Sequence, residues 1–148
     1  MRIPHIMTSV LNLDDIHKRA GEIEREKMLK AMEALKKQQG HEEELHQSFM
    51  HDDLNPRWRE QLNRAIMNAV ENDKNELMVM RFPSAWCSDK GRAINNCEPD
   101  WPHTLSGKSA RAYAAFEEEL RPLGYRLKAQ ILSFPGGMPG DVGIYLHW

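Results

Sequence analysis

The last two dozen residues restrict the fold more than any other stretch. Tyr125, Leu127, Ala129 and Ile131 alternate with Arg126, Lys128 and Gln130, and Val142, Ile144, Leu146 and Trp148 repeat the pattern after the break PGGMPG. A period of two gathers apolar side chains on one face of a strand. Pro and Gly in the break stop both strands and permit a reversal. The stretch therefore predicts a β-hairpin with one apolar face. A lone hairpin is marginal in water, so the rest of the chain must cover that face.

The cover is sought upstream. Leu77–Phe82 (LMVMRF), closed by Pro83, predicts a third strand beside the hairpin and a mainly antiparallel sheet. Asn55-Pro56 starts a helix, with Asn as cap and Pro where no donor is needed. Trp58, Leu62, Ile66, Met67 and Val70 give that helix a broad apolar face, and residues 71–75 end it with turn formers. A second covering helix spans Ser106 to about Arg121, carries Tyr113, Phe116 and Leu120 inward, and stops at Pro122 and Gly124. Glu117, Glu118 and Glu119 stand near its C-terminal end, where the helix dipole disfavours anions; the sequence offers no reason for them beyond a partner or water. The expected fold class is α+β, with a small domain of β-α-β-β order over residues 53–148.

Residues 1–52 read as a helical extension. Pro4 blocks helix at the start. Asn12 is a good N-cap, with Asp15 three residues on and Leu11 and Ile16 in the staple positions. Leu13, Ile16, Ala20, Ile23, Met28, Met32 and Leu35 then recur at mostly three- and four-residue steps. The other face carries Asp14–Lys18, Asp15–Arg19, Glu26–Lys30 and Glu33–Lys37, all with the carboxylate first, the favourable order at ~0.2–0.5 kcal/mol each. Gly40 predicts a stop after about 27 residues, with a second helix from His41 to His51 presenting Leu45 and Phe49. The alternative is one continuous helix that tolerates Gly40 at ~1 kcal/mol. The apolar stripe is narrow, close to a coiled-coil seam, and must meet either a second copy of the chain or its own chain folded back.

Formal net charge is −2, with the two halves at −2 and 0. That balance argues against a nucleic-acid footprint; Arg57, Arg59 and Arg64 around Trp58 are diluted by Glu60. No apolar run approaches the ~20 residues of a membrane helix, and the start lacks the apolar core of a signal peptide. Two cysteines, Cys87 and Cys97, fit free thiols in a reducing cytoplasm, with a disulfide as the alternative.

Motif-like pieces fall short of complete chemistry. HEEELH (His41–His46) spaces its histidines five apart, whereas two ligands on one helix face need four. GKS (Gly107–Ser109) has Pro102 where a phosphate loop needs Gly; capping is the plain reading, and an anion at the helix start is the sharper one. Cys87, Cys97 and His103 are too few and too far apart for a zinc knuckle. No metal, cofactor or catalytic residue is assigned, which argues against an enzyme. The connection 83–105 is long for a compact domain. It collects Trp86, Asp89, Arg92, Asn95, Asp100, Trp101 and His103, with Arg81 at the strand end. These eight are the candidate ligand-binding residues: a polar pocket under two tryptophans, or side chains spent on the loop's own backbone.

Two functions follow. The first is an interaction or regulatory protein that forms a homodimer through its N-terminal helix and binds a protein partner. The second is a small ligand-binding protein or small enzyme with its site in residues 84–103.

Overall fold

The computed structural model describes residues 9–148; the expectations for the first residues, including Pro4, lie outside them. The protein mixes helix and sheet: a long N-terminal helix, three further α-helices among the described residues, and an antiparallel three-stranded sheet.

Helix α1 spans Leu13–His51, 39 residues or about 58 Å at 1.5 Å per residue. Asn12 caps it, its Oδ1 accepting from the Asp15 amide at 2.9 Å, and Asp14 and Asp15 sit in the favourable first turn. Gly40 does not stop it. A Cβ at Gly40 would meet nothing within 4 Å, so no turn or close approach uses the glycine, and good helix formers on both sides carry the helix through. The four anticipated i,i+4 ion pairs do not close. Arg19 turns instead to Glu22 at 3.3 Å and Glu26 at 3.6 Å, as exposed side chains with little to gain from one fixed geometry do.

The chain divides into two compact units, Met1–Glu44 and Leu45–Trp148, with the division inside α1. In the second unit α2 spans Trp58–Glu71, after a turn in which Asn55 Oδ1 accepts from the Arg57 amide. The strands are β1 (Glu76–Pro83), β2 (Arg126–Ile131) and β3 (Asp141–His147). The last strand runs down the middle, in the order β1-β3-β2. Its alternating residues Val142, Ile144 and Leu146 are almost fully buried. Leu127 and Leu77 both pair with Leu146, and Ile131 and Phe82 both pair with Val142, so one apolar face crosses all three strands. Val79 is an extra residue in β1: Met78 pairs with Tyr145 and Met80 with Ile144. This bulge restores Met80 to the apolar face. The opposite face carries charge, with Lys128 on Glu76 at 2.7 Å and Arg81 on Asp141 at 2.8 Å.

Between β1 and β2 the chain is folded throughout. Two short helical turns flank α3 (Arg92–Asn95), and α4 follows at Gly107–Ala115. The helical path beyond α4 widens to a π-turn over Phe116–Leu120, and Gly124, in the left-handed conformation, ends the helical run.

Candidate functional site

The start of α4 receives the end of α1. Gly107 has φ +55°, and a Cβ there would lie 2.4 Å from the Phe49 carbonyl oxygen and 2.7 Å from Met50 Cα. Glycine is needed for both conformation and approach. One turn on, Arg111 Nη2 donates to the carbonyls of Phe49 (3.3 Å), Met50 (3.2 Å) and Asp52. The guanidinium thus reaches two of the orphan carbonyls at the negative end of the helix and the Asp52 carbonyl just past it. The Nε of Arg111 is buried without a hydrogen-bond partner. Phe49 is buried against Phe82 and Trp86, at ring separations of 5.2 and 4.7 Å. GKS is therefore a seat for a helix terminus.

Along the first unit and the turn beyond it, α1 exposes eight large apolar side chains: Leu13, Ile16, Ile23, Met28, Leu29, Met32, Leu35 and Leu45. At 100° per residue, Leu13, Ile16, Ile23, Leu35 and Leu45 share one side, and Met28 and Met32 widen it midway.

Four of the eight candidate residues of the 81–103 region make side-chain contacts of their own. Trp86 stacks on His46 at 4.8 Å and 11°. Asp89 accepts from the Gly91 and Ala93 amides at 2.9 and 2.8 Å, holding the turn into α3. Trp101 meets Tyr113 edge-on at 6.1 Å. Arg81 pairs with Asp141 across the outer face of the sheet. Arg92, Asn95, Asp100 and His103 are exposed. Ser84 ties the region to the hairpin connection, its hydroxyl donating to the Pro139 carbonyl at 2.9 Å. Cys87 is buried, and burial first, then Asp89, pushes its thiol up to about 11, against a smaller opposing hydrogen bond with Thr104. It stays protonated at neutral pH and is a poor nucleophile. Cys97 is exposed; both are free.

A cavity of about 320 Å³ opens elsewhere in the same unit. Trp58, Leu62 and Ala65 of α2 form one wall, Ala112, Tyr113, Phe116 and Leu120 another, and Leu77, Met80, Leu127, Ile144 and Leu146 of the sheet the floor. None of the eight candidate residues lines it. Of the broad apolar face read for α2, Trp58 and Leu62 line this cavity, whereas Met67 and Val70 are exposed. Across the two helical walls Arg59 grips Glu119 with Nε at 2.7 Å and Nη2 at 2.8 Å, and Arg121 holds Glu117. Both carboxyls lie below their ordinary range, chiefly because a guanidinium donates to each. Two of the three glutamates thus have structural partners.

Among the described residues, no three His, Cys, Asp or Glu side chains are grouped to hold a metal ion, and no helix is long and apolar enough to cross a membrane. Comparison of the chain with protein-family models, curated proteins and solved structures finds no match.

Proposed function

We propose that the protein acts by binding: α1 pairs with α1 of a second copy to form a homodimer, and the dimer docks a protein partner. The carrying observation is the row of seven exposed large apolar side chains, the eight without Leu29, on a capped helix. At ~25 cal/mol/Å², the ~1.5–3 kcal/mol for burying such a side chain corresponds to ~60–120 Å² each. Seven residues thus offer roughly 400–850 Å² per copy, the scale of a standard interface at ~800 Å² per partner. A coiled-coil seam suits the narrow stripe, and two free cysteines suit a reducing compartment such as the cytoplasm. In the second unit, α2 and α4 serve as the cover of the sheet's apolar face.

Light scattering on the full chain and on the double variant Ile16→Glu, Ile23→Glu tests the pairing. The wild type should run at twice the chain mass and the variant as a monomer with its sheet intact. A monomeric wild type at tens of micromolar (about 6–7 kcal/mol of association) rules the pairing out.

A further inference from the structure

We propose that the cavity between α2, α4 and the sheet is a binding site for a small, uncharged, apolar ligand of about a dozen carbon atoms. The size follows from the space: about 320 Å³ is roughly twice the ~150 Å³ apolar cavity that admits one benzene. The chemistry follows from the walls. Water in a cavity needs two to four polar partners. Of the polar liners, Ser109 spends its hydroxyl on the Ser106 carbonyl at 2.7 Å, and Gln61 is an exposed residue whose amide has water outside the cavity. An apolar molecule therefore displaces poorly held water, which favours binding. Charge is matched within the protein, since Arg59 is taken by Glu119 and Arg121 by Glu117. A carboxylate or phosphate on the ligand would have to break one of these pairs.

A second observation is independent of size and polarity. The β1 bulge at Val79 and the π-turn over Phe116–Leu120 are two departures from regular backbone on different elements. Val79, Phe116 and Leu120 all line this one cavity. Bulges and π-turns of this kind gather next to functional sites, where they re-aim side chains. At the β1 side the space reaches solvent, with Met78 and Val79 43% and 40% exposed.

The test titrates the full chain with N-phenyl-1-naphthylamine, an uncharged fluorophore, then adds 1-decanol or decanoate as competitor. Saturable one-to-one binding is expected, displaced by decanol at lower concentration than by decanoate. Ala65→Leu and Ala112→Leu, which push a side chain into the space, should each weaken the probe by about tenfold or more, while Ile16→Glu on α1 leaves it unchanged. Methyl NMR of the wild type with decanol gives a readout that needs no filled variant: shifts should concentrate on Ala65, Ala112 and Ala115, not on Met28 and Met32. Absence of saturable binding, equal binding by both filled variants, or shifts confined to α1 would overturn the site. Stronger competition by decanoate would overturn the uncharged class.

Discussion

Gly107→Ala is the sharpest test of how the end of α1 is seated. The new Cβ would fall 2.4 Å from the Phe49 oxygen and 2.7 Å from Met50 Cα. These are backbone atoms, so no rotamer change relieves the contact and the last turn of α1 must move by most of an ångström. The left-handed φ of +55° adds ~1–2 kcal/mol for a residue with a Cβ. Moving the turn stretches the Arg111 contacts at 3.3 and 3.2 Å; bonds to a charged group contribute ~1.5–3 kcal/mol. Together the loss is ~3–5 kcal/mol, a large part of the ~5–15 kcal/mol that holds a domain folded. Gly40→Ala is the control of opposite sign. Gly40 lies inside α1 with open space around its Cα, so Ala should stabilise the helix by up to ~1 kcal/mol. Urea unfolding followed by far-ultraviolet circular dichroism and tryptophan fluorescence measures both. A Gly107→Ala protein within ~0.5 kcal/mol of wild type, the range of an ordinary surface change, would refute the seating argument.

Glu119→Gln should destabilise the protein at neutral pH but not in acid. The Arg59 hydrogen bond lowers the folded-state pKa of Glu119, so its contribution is whole above the unfolded value of ~4.3 and fades as pH falls through the folded one. Urea midpoints at about pH 7 and pH 3 should converge in acid; an unchanged difference contradicts the pairing. For the thiols, iodoacetamide at neutral pH should label Cys97 and spare Cys87 until the protein unfolds, read by peptide mass. Because burial raises the Cys87 pKa to about 11, its contribution is intact below the unfolded value of ~8.5 and is lost as pH rises toward the folded one. Cys87→Ala should flatten that alkaline decline, and equal labelling of both thiols at neutral pH would contradict its burial.

Local patterns were readable where one element decides its own state. The alternation of Val142, Ile144 and Leu146 marked the strand, and Asn12 marked the start of α1, because a pleat and a cap are set within a few residues. Gly40 misled because its cost is ~1 kcal/mol and a long run of good helix formers outweighs it. The middle place of β3 was not legible, since pairing on both sides depends on residues some 15 and 65 positions away. The cavity shares that cause: its walls come from α2, the α4 region and all three strands. The role of Gly107 was hidden for a different reason. In sequence it opens GKS, and its partner is a carbonyl on Phe49, which no spacing rule connects to it. Asp89 was legible as a choice between ligand and loop; its bonds to the Gly91 and Ala93 amides show what holds the turn.

The seating of α1 gives its unravelling a direction. Most long helices fray from both tips, but here the carboxyl tip is gripped by Arg111 and plugged by Phe49, whereas among the described residues the amino tip is capped by the Asn12 side chain. Melting should start at Asn12 and travel toward His51, so a protease would shorten α1 stepwise from its beginning and stall before the turn that Phe49 occupies.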